Sequence, residues 1–209
     1  GNALRLDWES VVPKDQLNYI MGNPPFVGQT FRNKEQAEEI KAVFANNSKA
    51  GKLDYVAAWY KLAATYMQGT QINAAFVSTN SISQGEQVAI LWRDLFEKCN
   101  IEIVFAHRSF VWTSEAAEKA AVHCVIVGFS CYPGQAKFLF ENNRRKRVSH
   151  INGYLVEGND VFIKARGTPN DATMPKMTQG STRRWRKLNL QRRRVPTFFA
   201  QISHKKTST

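Results

Sequence analysis

The chain has 209 residues, 43% of them hydrophobic and five of them Trp, enough for one medium-sized domain with a packed core. No apolar run reaches the length of a bilayer span and no secretory signal is visible, so a soluble, cytoplasmic protein is expected. The formal charge is +12, but nine of the 29 Lys and Arg lie in residues 183–209, which hold no Asp or Glu, so residues 1–182 carry only 20 bases against 17 acids. Cys99, Cys124 and Cys131 are odd in number and lack paired zinc spacing, which argues for reduced core thiols and against a metal or disulfide scaffold.

The chain opens at Gly1 in what reads as a turn, GNALRLDW, and a preceding portion of the protein is expected. Leu17 to Met21 is a short apolar strand that runs into Asn23-Pro24-Pro25-Phe26. Each proline fixes φ near −65° and lacks an N–H, so regular structure has to stop there. Lys34 to Ala45 has helical spacing, with charges on one face and Ala37, Ile40, Val43 and Phe44 on the other. Asp54 is placed to cap a helix running to Met67, on which Val56, Trp59, Tyr60, Ala63 and Met67 form an apolar stripe. Residues 72–80 read as a strand, and Ser83-Gln84-Gly85-Glu86 as a capping box opening a helix to about Glu97, with Trp92 and Phe96 in its core stripe.

Strands are expected over Ile101 to His107, Val122 to Ser130 and, more briefly, Ala136 to Glu141. Phe110 and Trp112 then fall in a loop at a strand's carboxyl end, and His107 and His123 read as strand-end or packed histidines with no acidic partner at catalytic spacing. Strands dense in Val, Ile and Phe that alternate with helices point to a doubly wound α/β sheet covered on both faces, whose ligands bind at the carboxyl ends of its strands. The basic run Arg144-Arg145-Lys146-Arg147 is a candidate for phosphate contact. The segment from Arg183 has neither helical nor strand period, and reads either as a nucleic-acid arm or as sequence out of frame after about Ser181.

Strand, Asn-Pro-Pro-Phe, helix, strand, helix and two strands, in that order, resembles the catalytic half of an amino-group methyltransferase that uses S-adenosylmethionine. More narrowly, GNALRLDW, YIMGNPPFVGQ, LDYVAAWYKLAATYM, AAFVSTNSISQGEQ and IVFAHRSFVWTSEAA…AAVHCVIVGF resemble the adenine-specific DNA methyltransferase region of MmeI-like type II restriction-modification enzymes, over roughly residues 1–178. The resemblance implies a Rossmann-like S-adenosylmethionine methyltransferase fold with only the C-terminal half of its sheet present. It divides the chain into a partial catalytic domain at 1–142, a basic connector at 143–181 leading to a missing target-recognition domain, and a basic, disordered or out-of-frame tail at 182–209.

The implied partner is double-stranded DNA with one adenine rotated out of the stack. Asn23, Pro24, Pro25 and Phe26 are then the catalytic residues. An adenine amine is a poor nucleophile because its lone pair is delocalised, and two acceptors, the Asn23 side-chain oxygen and the Pro24 carbonyl, can hold its hydrogens out of the ring plane in the transition state. Phe26 would stack on the rotated base. The resemblance assigns Asp7 to the adenine amine of the cofactor and Asp54 and Tyr55 to its methionine end, although helix capping accounts for Asp54 equally well and a surface turn for Asp7. Phe110 and Trp112 are assigned to the base pocket and Arg144 and Arg145 to the substrate backbone.

The sequence departs from the family in showing no glycine-rich turn for the cofactor's methionine portion and no acid for its ribose. The family places both upstream, which leaves the edge of the first strand and some apolar surface uncovered. Two other readings stay open: a protein glutamine methyltransferase, and a non-catalytic module that binds nucleic acid through the arm from Arg183.

Overall fold

Six strands form one mixed sheet in the computed structural model, which describes residues 1–45, 47–112 and 122–163. β1 (Tyr19–Gly22) pairs in parallel with β2 (Asn73–Thr79), and β4 (Val122–Ser130) lies antiparallel between β2 and β3 (Glu102–Trp112). β5 (Lys137–Glu141) runs parallel to β3, and β6 (Arg144–Val148) closes the far edge antiparallel to it, giving the order β1-β2-β4-β3-β5-β6. The sheet is therefore Rossmann-like with an antiparallel β4 inserted, and β1, β2, β3 and β5 all end at the same rim.

Among the described residues four α-helices accompany it: α1 (Trp8–Val11), α2 (Lys34–Val43), α3 (Ala57–Tyr66) and α4 (Gly85–Cys99). The face of β2 that carries Ala74, Phe76 and Ser78 is buried, opposite Phe129, Val127 and Val125 of β4. Tyr60 of α3 organises this side, its ring 5.2 Å from Phe76, 5.3 Å from Phe129 and 5.7 Å from Trp92 of α4. Its hydroxyl shares a 2.8 Å hydrogen bond with Ser78 Oγ, so a fully buried phenol stays satisfied. Truncating Tyr60 or Trp92 to Ala removes roughly 3–5 kcal/mol of such packing. After β6, Ile151 bridges Glu157, and the buried Asn152 locks the bend between them, accepting from the N–H of Tyr154 at 3.0 Å and donating to the Asn159 carbonyl at 3.2 Å. Gly153 lies against the Trp92 ring so closely that a Cβ would sit 2.8 Å from it.

Several expectations shift. The helices α3 and α4 pack on one face, whereas the opposite face carries half-buried Phe105, His107, Phe110 and Phe140 outside the main core, so cover on both faces is not found among the described residues. Asp54 does not cap α3, whose N-cap Val56 makes no side-chain bond; the helix begins in a backbone turn that points the Asp54 carboxylate elsewhere. The capping box at Ser83 does not form, because Ser83 Oγ bonds back to the Asn80 carbonyl at 2.8 Å in a 3-10 turn and Gly85 opens α4 at φ +55°. A true capping box joins Asn33 and Gln36 at the start of α2.

Phe110 and Trp112 belong to β3 rather than to a loop, since β-bulges between Ile103 and Phe105 and between His107 and Phe110 let the strand continue past its broken alternation. The boundary expected between 142 and 143 falls at the tip of the β5–β6 hairpin, where Asn142 (φ 49°) and Asn143 (φ 59°) form a two-residue turn of the kind that needs positive φ. Arg144 and Arg145 are thus part of the sheet, and all described residues fall within one unit, Gly1–Ala165. The rest of the connector and the tail at 182–209 lie outside the described residues. Among the described residues no helix is long and apolar enough to cross a membrane, and none of the three thiols is in a disulfide.

Helix α4 carries one buried acid. Asp94 meets Lys61 Nζ of α3 at 2.8 Å and Lys98 Nζ, one turn along, at 2.6 Å. Burial pushes its carboxyl up, but the two lysines outweigh that and hold it below the usual range. A carboxyl depressed in this way stabilises the fold above the unfolded-state pKa, and the contribution disappears as pH falls through the folded-state pKa. Asp94→Asn is expected to cost about 1.5–3 kcal/mol at neutral pH by urea unfolding. The gap to the wild type should close only when pH is taken below about 3.9.

Candidate functional site

The Asn23-Pro24-Pro25-Phe26 turn leaves β1 at the rim where the parallel strands end. Asn23 is exposed, Pro24 buried and Phe26 half-buried. The Pro25 carbonyl accepts the Val27 N–H at 3.2 Å, while neither the Asn23 amide nor the Pro24 carbonyl has a partner among the described residues. Two adjacent acceptors, one on an exposed residue and one on a buried residue, are therefore left unpartnered in a rigid turn. Beside them a cavity of about 560 Å³ is walled by Leu17, Ile20, Gly22, Trp59, Tyr66 and Phe76, with Asn23, Pro24 and Pro25 at its rim.

A turn with two prolines cannot tie itself down, and the ties come from Asp54. This residue is 8% exposed. Its Oδ1 accepts the Gln29 N–H at 3.0 Å, its Oδ2 accepts Ser81 Oγ and, at 3.5 Å, Thr79 Oγ1, and its own N–H donates to Gln87 Oε1 at 3.0 Å. One carboxylate thus joins the loop after β1 to the end of β2 and the loop after it, while the backbone of the same residue reaches the first turn of α4. Tyr55 adds a backbone bond from its N–H to the Val27 carbonyl at 2.9 Å, and its hydroxyl donates to Glu39. Both side chains point into the fold. Their sequence-implied part, contact with a cofactor's methionine end, has no free polar atom of Tyr55 to rest on.

Asp7 sits at the entrance of α1, exposed, and one of its oxygens accepts the Glu9 N–H at 3.1 Å. Its other oxygen is unbonded among the described residues, and its neighbours Leu6 and Trp8 line the cavity beside Asn23. Trp8 is fixed by a bond to the Ala3 carbonyl at 2.9 Å and by edge contact with Tyr66 at 5.7 Å.

The remaining predicted residues are not gathered here. Phe110 lies on the same rim but three strand steps from β1, about 14 Å at ordinary strand spacing, with its ring edge-on to His107 at 5.2 Å. Trp112 ends the same strand. Arg144 and Arg145 stand five steps away, about 24 Å, on the hairpin that ends at the same rim. Arg145 lies over the Phe138 ring at 5.1 Å, and neither arginine is paired with a carboxylate among the described residues. His107 stacks parallel to Phe140 at 6.4 Å, as a packed histidine should. Burial pushes the Cys131 thiol up to about 11, and among the described residues no three His, Cys, Asp or Glu could hold a metal.

Residues 1–141 match the family model described as MmeI, DNA-methyltransferase domain. A curated relative, DNA methyltransferase A of Bacillus subtilis (strain 168), is 40% identical over 184 residues, which is 87% of this chain and 21% of that protein. The solved structure of the type IIL restriction-modification enzyme MmeI in complex with DNA superposes with a TM-score of 0.76 at 44% identity, covering 81% of this chain and 23% of its own. The chain thus spans about a fifth of the length of the relatives it matches.

Because Asp54 is the only acceptor for the Gln29 backbone N–H among the described residues, Asp54→Ala should strip the post-turn loop of that anchor while leaving the backbone ladder of the sheet intact. The loss of one such buried acceptor is about 1–3 kcal/mol. Amide exchange of residues 27–31 is therefore expected to accelerate about tenfold or more, with β2 and β4 unaffected.

Proposed function

This chain belongs to the MmeI DNA-methyltransferase domain family, and from that premise we propose that it is the catalytic segment of a longer site-specific DNA adenine methyltransferase of a restriction-modification system, working in the cytoplasm. The observation that carries the reading is the pair of unpartnered acceptors, Asn23 and Pro24, set at a strand's carboxyl end beside an apolar cavity. S-adenosylmethionine, when bound, supplies an electrophilic methyl group.

The chain's own residues do the rest. Asn23 Oδ1 and the Pro24 carbonyl accept the two hydrogens of the adenine amine and favour its pyramidal, nucleophilic form, an interaction stronger in the transition state than before it. Asn is neutral, so it polarises the amine rather than deprotonating it; the proton leaves after transfer, when the nitrogen is strongly acidic. Proline at the accepting carbonyl costs no needed donor and keeps it fixed. Phe26 offers a face for the rotated base.

The residues fit the cofactor in part. The free oxygen of Asp7 suits the amine of the cofactor's adenine, and the apolar cavity suits its ring. Asp54 and Tyr55, engaged inside the fold, serve by holding the loop rather than by touching the ligand. Arg144 and Arg145, about 24 Å from the turn, suit phosphates flanking the target, while Phe110 and Trp112 belong to β3, about 14 Å from the turn, and suit the far side of the base pocket by their place on the same rim.

In a chain of the relatives' full length, Asn23→Ala is expected to lower the rate of labelled methyl transfer to duplex DNA by about 10²–10³. Full rates after Asn23→Leu would refute the assignment. The 209-residue chain alone, having no glycine-rich turn, is expected to bind S-adenosylmethionine only weakly in a calorimetric titration.

A further inference from the structure

Helix α2 carries a carboxylate that the catalytic reading leaves unused. Glu39 is only 8% exposed, and donors from two separate stretches of chain converge on it. Asn2 Nδ2 and Arg5 Nε reach its Oε1 at 2.7 and 2.6 Å, and the Tyr55 hydroxyl donates to its Oε2. A charge taken out of water at this depth persists only when paired and hydrogen-bonded. Burial alone would push the Glu39 carboxyl up, yet Tyr55, Arg5 and Asn2 together hold it below its ordinary range, so it is ionised at neutral pH. The same contact, after burial, helps push Tyr55 up to about 12, which keeps that hydroxyl a donor.

What these donors belong to gives the arrangement its meaning. Asn2 and Arg5 come from the turn that presents Asp7 and Trp8, and Asn2 also folds that turn by accepting the Leu4 N–H at 3.0 Å. Tyr55 follows Asp54 and bonds Val27 through its own backbone. A continuous line of bonds therefore runs from the Asp7 turn, through Glu39 and Tyr55, to the loop that follows Asn23–Phe26. The second acid near Arg5, Glu35 at 3.4 Å, is exposed and adds little.

We propose that Glu39 is a positioning residue: its carboxylate clamps the turn that carries Asp7 to the segment that anchors the Asn23 loop, setting the spacing between the cofactor's adenine end and the reacting amine. This rests on the methyltransferase reading of Asp7 and Asn23. Glu39 touches neither substrate nor cofactor, so its loss should appear in cofactor affinity before it appears in turnover.

Two measurements test it. In the 209-residue chain, Glu39→Gln and the exposed-site variant Asn2→Ala should each speed amide exchange of residues 4–8 by about tenfold while β2 and β4 keep their protection. In a chain of the relatives' full length, the same changes should raise KM for S-adenosylmethionine about tenfold with kcat within about twofold. Unchanged exchange, or a uniform loss of protection across the sheet, would overturn the clamp. A fall in kcat at constant KM would overturn its role in spacing. A wild-type long chain that transfers no methyl to DNA would remove the methyltransferase reading and the functional half of the proposal, while the exchange data would still decide whether the clamp exists.

Discussion

Two consecutive prolines give up two N–H groups, and a turn that cannot donate must be held by something outside itself. In this fold that something is the buried Asp54, whose carboxylate binds the loop after β1 and the loop after β2 while its backbone N–H binds the start of α4. Parallel pairing of β1 with β2 brings those loops to one rim, and the carboxylate keeps them there. The freedom of Asn23 and Pro24 to accept from a ligand depends on this division of labour. The anchoring bonds are made by residues downstream of the turn, so the turn's own acceptors are spent on none of them.

Behind the rim lies a core whose central polar groups meet partners. Tyr60 fills the space between β2, β4 and α4 and hands its hydroxyl to Ser78; Trp92 bonds the Ile82 carbonyl at 2.8 Å; Asp94 takes both Lys61 and Lys98. The consequence is a stiff platform on one side of the sheet, with the aromatic row Phe105, His107, Phe110 and Phe140 left on the other.

Much of this was legible in the sequence wherever one local pattern decided the outcome. Val122–Ser130 is the strand its run of Val, Ile and Phe announces, and the stripe on 57–66 buries the tyrosine it points inward. The turn after β1 could be read from its composition alone. Reading failed where distance in sequence or a break of period intervened. The bulges in β3 shift the alternation and made its second half look like loop, and a run of four bases that read as the start of a connector lies in β6.

Asp54 satisfied the local rule for a helix cap, yet its partners stand 25, 27 and 33 residues away. Glu39 looked like part of a solvated face. A carboxylate next to Ile40 on the edge of an apolar stripe was the only hint, and nothing local could name Asn2, Arg5 and Tyr55 as its partners.

The bend after β6 has a chemical side to it. Asn152-Gly153 is the dipeptide most prone to deamidate, because the glycine nitrogen can swing onto the asparagine side chain and close a succinimide ring. Here the side chain is buried and tied by bonds to Tyr154 and Asn159, and the glycine is pressed against Trp92, so the folded bend denies the ring its approach. Ageing at that pair therefore advances only with the total time the bend spends open.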